Sequence, residues 1–126
     1  MTWESFCRDM YPKVCLDAKR KIKRAYPGKW EAFKDAPALP AVALDASEDI
    51  GKEKLLAFLE LPSQVIKIKP AMLHLKKSDI RHVLLHELAH FWQDYLYPKD
   101  KSAHGRHFKE ICAALKCKYP SRWVPV

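Results

Sequence analysis

Apolar side chains recur three or four positions apart at Ile80, Leu84, Leu88 and Phe91, the period of a helix that buries one face. Ser78 reads as the N-cap and Pro98 lies just past the end, which predicts a long helix from Asp79 to about Leu96. Phe108, Ile111, Ala114 and Leu115 repeat the pattern in a last helix that starts at or near Ser102 and runs to about Lys116. At the other end, Trp3, Phe6 and Met10 follow a Thr2 cap, and Pro12 opens a basic helix that Tyr26-Pro27-Gly28 stops after about Ala25. Trp30 to Lys34 makes a short amphipathic piece. Leu55, Leu56 and Leu59 form a stripe in a helix expected from Ser47 to Pro62, whose acidic start at Glu48-Asp49 suits the helix dipole.

Only one stretch alternates. Val65-Ile66-Lys67-Ile68-Lys69 puts Ile66 and Ile68 on one face of a strand and both lysines on the other, and Pro70 ends it. Ala41 to Leu44 is short and apolar enough for a second strand. Several helices and a small sheet in 126 residues predict one α+β domain spanning residues 1–126. Apolar residues make up 48% of it, so a folded core is expected. No long apolar run and no secretory signal is present, so neither a membrane span nor export is expected. Cys7, Cys15, Cys112 and Cys117 contain no C-x-x-C pair, and they fit reduced, packed thiols of a cytoplasmic protein.

Charge narrows the possible partners. Lys and Arg total 23 against 15 acidic residues, a net charge of +8, and the densest run is Lys19-Arg20-Lys21-Ile22-Lys23-Arg24. Such a surplus favours polyanions through counterion release, although nothing in the sequence reads bases. The candidate nucleic-acid surface is Lys19, Arg20, Lys21, Lys23 and Arg24 together with Lys67 and Lys69.

The chemistry lies in His86-Glu87-Leu88-Ala89-His90, inside the best-defined helix. Residues four apart share a helix face, so both imidazoles can reach one ion while Glu87 lies beside them to meet a water. A catalytic zinc site commonly takes three protein ligands and leaves one position open. The metzincin extension needs Gly and His where Gln93 and Leu96 stand, which excludes that class. His104 and Glu110 both remain as third ligands, because the loop after Tyr97 is long enough to fold the last helix back for either.

With these residues assembled, the chain resembles the SprT-like zinc metalloproteases, the family of the Spartan-type protease core. Ile66-Lys67-Ile68-Lys69-Pro70, Leu73-His74-Leu75, Val83 to His90, and His104-Gly105-x-x-Phe108 carry the likeness over about residues 64–116. The resemblance implies a zincin-like fold, with a small sheet packed on helices around the HExxH helix. It also implies one catalytic Zn²⁺ on His86, His90 and His104, with Glu87 as general base. His107 then packs or hydrogen-bonds, and Tyr95, Tyr97 and His107 are candidates to stabilise the oxyanion. A free edge of the Val65–Lys69 strand is expected to bind substrate. The sequence holds no zinc ribbon after the core, so any contact with single- or double-stranded DNA is expected from the core itself. The expected function is a monomeric endopeptidase, cytoplasmic or nucleoid-associated, acting on DNA-associated or DNA-crosslinked proteins. Two rival readings are a nucleic-acid-binding module with a structural zinc, and a narrow regulatory protease that works without DNA.

Overall fold

The computed structural model describes residues 1–32, 39–45, 56–61 and 63–117. The long helix is α4, Lys77–Leu96, counted in chain order after α1 (Trp3–Ser5), α2 (Tyr11–Ala25) and α3 (Pro27–Ala32). Its predicted stripe is fully buried, and Val83, Leu85, Ala89, Trp92 and Leu96 are buried as well. A helix apolar on so many sides must be covered from several directions. It packs against α2, against α5 (Arg106–Leu115) and against the strand Ala57–Glu60. The helix starts slightly earlier than Ser78 suggested: Lys76 is the N-cap and contributes no side-chain hydrogen bond.

At the N-terminus, Thr2 Oγ1 accepts from the Ser5 amide at 3.1 Å, as a cap should. α1 then runs through a π-helical turn, Phe6–Met10, directly into α2. Pro12 accounts for this turn, because it has no N–H and its ring crowds the carbonyl four residues back. The backbone widens instead, and the Tyr11 N–H reaches Phe6 O, five residues away. Phe6 remains fully buried and stacks on Trp3, with ring centroids 5.4 Å apart. α2 ends at Ala25 as expected, and the next helix, α3, opens at Pro27, earlier than the piece expected from Trp30. The last residues of the expected Trp30–Lys34 piece lie outside the described residues.

Among the described residues the sheet has three strands: β1 (Ala41–Leu44), β2 (Ala57–Glu60) and β3 (Val65–Ile68), in the order β1-β3-β2. β1 runs parallel to β3 with Ala41 opposite Val65, and β2 runs antiparallel with Ala57 opposite Ile68. Ile66 and Ile68 are fully buried, as the alternation requires.

Two expectations are corrected here. Residues 57–60 form a strand, not the end of a helix from Ser47, because all four are in register with β3 and that pairing outweighs the helical spacing of the leucines. The earlier part of that expected helix, residues 46–55, lies outside the described residues. In addition, β3 is the central strand with both edges paired, so the edge beside α4 belongs to β2.

α5 begins at Arg106 with Gly105 as N-cap, four residues later than the Ser102 start expected. Its C-terminus closes as a Schellman motif: Lys116 N donates to Ala113 O (3.1 Å) and Cys117 N to Cys112 O (2.9 Å). Lys116 takes the left-handed position at φ 57°, where a side chain is disfavoured. Lys116→Gly is therefore expected to raise unfolding stability by up to about 1 kcal/mol, read as a higher urea midpoint at unchanged m-value. A lower midpoint would contradict this account of the turn.

Candidate metal centre

α4 places His86 and His90 one turn apart, and their Nε2 atoms lie 3.2 Å from each other. The loop before α5 brings in His104, whose ring centroid is 5.3 Å from that of His86 and 4.9 Å from that of His90. One ring nitrogen from each of the three lies within 4.8 Å of the others, and among the described residues this is the cluster that could hold a metal ion. Phe108, fully buried in the first turn of α5, touches all three rings at 5.1, 4.4 and 4.9 Å. The phenylalanine of H-G-x-x-F therefore forms the floor on which the imidazoles gather.

The donor set fits a zinc-type ion. Tetrahedral coordination at the usual zinc–nitrogen length sets neighbouring nitrogens about 3.3 Å apart, close to the His86–His90 separation. The other third-ligand candidate, Glu110, is exposed and faces Arg106 at 3.7 Å. His104, not Glu110, lies in the cluster with His86 and His90.

The His104 loop is held by a network that spacing alone did not reveal. Buried Gln93 donates from Nε2 to Ser102 O at 2.8 Å and to Asp100 O at 3.4 Å. Asp100 accepts from Ser102 N (3.0 Å) and Ser102 Oγ (2.6 Å), and its other oxygen meets His107 Nδ1 at 2.7 Å. The His107 ring stacks on Tyr97 at 3.7 Å, nearly parallel, and Lys29 Nζ lies 4.4 Å from the centre of the Tyr97 ring. His107 thus packs and hydrogen-bonds as the resemblance implied. Gly105 is needed next to this network, since an added Cβ would collide with Ser102 Oγ. The available signal was Asp100-x-Ser102, an Asx-turn pattern directly before the histidine.

Glu87 is 1% exposed, and neither carboxylate oxygen has a hydrogen-bond partner among the described residues. Burial, and secondly the nearby Cys117, push its carboxyl well above the ordinary carboxylate range. Next to His90 opens a cavity of about 270 Å³, lined by Leu59 and Leu61 from the β2 side and by Gln93, Asp94 and Ala103.

The basic residues divide. Arg20, Lys23 and Arg24 are exposed on the outer face of α2, opposite buried Val14, Ala18 and Ile22, and Lys19 is half-buried beside them. Lys21 pairs with Asp17 at 3.0 Å, and Arg81 also binds that carboxylate. Lys67 is half-buried on β3. Lys69 is a correction: it is 6% exposed and paired with Asp45 at 3.3 Å, so it belongs to the interior and not to a DNA-facing surface.

An α+β domain whose long helix presents two histidines one turn apart, with a third from the following loop, is zincin-like and of the metal-dependent protease class. The sequence pattern of the SprT-like family matches residues 22–124, and the chain belongs to that family. Among solved structures, the chain is similar to the crystal structure of the metallopeptidase zymogen of Pyrococcus abyssi abylysin. The two share 18% identity over 77% of each chain, with a TM-score of 0.46. No curated protein matches the chain significantly. Among the described residues, no helix is long and apolar enough to cross a membrane.

Hydrogen bonds from Ser102, and then from His107, lower the Asp100 carboxyl from 3.8 to about 2. A depressed carboxylate stabilises the fold above its unfolded pKa and loses that contribution as pH falls through the folded value. Wild type should accordingly melt above Asp100→Asn by a constant margin at pH 5 and higher, about one unit clear of the transition. The margin should close between pH 3.8 and about 2. A margin unchanged across that window, in parallel melting curves, would remove Asp100 from the loop's support.

Proposed function

We propose that the chain is a zinc-dependent endopeptidase that cleaves extended peptide segments. The carrying observation is the three-imidazole cluster beside buried Glu87, with an open cavity between it and the edge strand β2. Zinc held by His86, His90 and His104 would supply Lewis acidity, lowering the pKa of water toward neutrality and drawing charge from a carbonyl oxygen. Glu87 takes the proton of the attacking water and hands it to the leaving amine. Its apolar surroundings solvate the carboxylate poorly and so keep it basic.

A peptide can add to the outer edge of β2 as a further strand, read mainly through its backbone. Leu59 and Leu61 offer a neighbouring side chain an apolar wall. The loop network of Gln93, Asp100 and Ser102 holds His104 in place before any ligand arrives. A structural zinc in a nucleic-acid-binding module is usually closed by four ligands. An open cavity reaching His90 supports the enzyme reading instead.

Substrates are assigned to DNA-associated or DNA-crosslinked proteins because the outer face of α2 presents Arg20, Lys23 and Arg24 on a chain of net charge +8. The compartment assigned is the cytoplasm or nucleoid, and the chain is assigned as a monomer. A narrow regulatory protease remains the reading if DNA proves irrelevant.

Glu87→Gln should lower cleavage of a DNA-binding protein substrate by about 10²-fold or more while zinc content stays at one per chain. Cleavage unchanged in that variant would reject the mechanism. His104→Ala should instead weaken zinc binding, measured by competition with a chromophoric chelator, and lower activity in proportion. Reversing Arg20, Lys23 and Arg24 to Glu should reduce DNA affinity and flatten its salt dependence, read by fluorescence anisotropy across a salt series. An identical salt slope would remove α2 as the DNA surface.

A further inference from the structure

We propose that Cys112 and Cys117 are a disulfide-forming pair, oxidised by small-molecule disulfides, set against the helix α4 that carries Glu87. The two residues occupy the positions that the Schellman motif brings together: Cys112 is three places inside the end of α5, and Cys117 follows left-handed Lys116. Those two side chains characteristically touch in this motif. Here both are thiols, and they hydrogen-bond one another.

The 2.9 Å bond between Cys117 N and Cys112 O gives a geometric bound. With covalent lengths fixed, it keeps the two Cα atoms within about 7 Å, the upper end of the range a disulfide spans. Cys112 is buried, whereas Cys117 is only part-buried and is the sulfur more open to a reagent. Cys117 Sγ also donates to His82 O on α4 at 3.4 Å, which ties the pair to the helix that carries the metal ligands. The other two cysteines lie elsewhere, in the π-turn and in α2, where Cys15 interacts with Tyr11.

The thiolate is the attacking species, and the hydrogen bond from Cys112 draws the Cys117 thiol below its ordinary value while Cys112 is raised. The Cys117 thiolate attacks one sulfur of the small disulfide. A Cys117–S bond forms, the reagent's S–S bond breaks, and one small thiol leaves. Cys112 Sγ then loses its proton, attacks Cys117 Sγ and expels the second small thiol. Two protein thiols are oxidised and one small disulfide is reduced to two thiols, so electrons and protons balance.

The bond from Cys117 Sγ to His82 O sets the pair against α4, the helix that carries Glu87. Closing the disulfide removes the S–H that makes this bond to α4. The consequence for turnover rests on the peptidase reading, whereas formation of the bond does not.

The test incubates the zinc-loaded full chain with oxidised glutathione, unfolds it in denaturant, alkylates with iodoacetamide, and maps the labels by mass spectrometry. The expected result is two labels fewer, lost from Cys112 and Cys117 and restored by dithiothreitol. Cys112→Ser should stop at one glutathione adduct on Cys117, and Cys117→Ser should leave Cys112 without an adduct. Wild type that stops at a single adduct, or keeps all its labels, would overturn the pair. The same samples are assayed for Glu87-dependent cleavage, expected to fall at least twofold on oxidation and to recover on reduction. Unchanged cleavage with the disulfide formed would overturn the link to α4. A disulfide formed in a chain whose reduced form cleaves nothing would leave the pair standing and count against the peptidase reading alone.

Discussion

The structure depends on burying α4. Eleven of its twenty residues are buried, among them Trp92, Phe91 and four leucines, too many apolar side chains for one interface to cover. α2, α5 and the sheet each take a side, so the rest of the domain serves as the casing of a single helix. Two part-buried imidazoles on that helix interrupt the casing, where an uncompensated polar group would cost about 1–3 kcal/mol. A third imidazole turns toward them from the loop, and Phe108 closes the floor under all three.

The same constraint separates the two kinds of functional residue. His86, Glu87 and His90 are placed by helix geometry alone, since a rigid, buried helix fixes the direction of each side chain. His104 comes from a loop and has no such guarantee. Gln93, fixed in α4, reaches out to the loop backbone, and Asp100 gathers Ser102 and His107 around one carboxylate. The helix fixes the loop through the Gln93 amide, and the charge-assisted bonds of Asp100, the stronger class, hold the loop together and join it to α5.

What the sequence revealed follows this division. The 3.6-residue period located α4, α5 and the basic helix α2, and the two-residue period located β3, because in each the pattern is local. HExxH was legible for the same reason, whereas the choice of His104 over Glu110 needed the wider resemblance. The misreadings share a cause. Residues 57–60 became a strand because of β3, Lys69 became interior because Asp45 lies across from it, and β3 lost its free edge because β1 and β2 flank it. Each outcome depends on a partner distant in the chain, and local spacing carries no record of that partner. The Asp100 network was missed for a related reason: it joins α4, a loop and α5 through side chains that look like ordinary surface polar groups.

One contact reaches further than the site. Lys29, in α3 near the start of the chain, donates to Leu96 O at the end of α4 and lies against Tyr97, whose ring carries His107 and, through it, Asp100. The His104 loop is thereby anchored to α3, far from it in the chain. Metal affinity and folding then draw on one cooperative unit, in which an ion bound by the three imidazoles stabilises helices it never touches. Loosening the first thirty residues, conversely, weakens the grip on the ion.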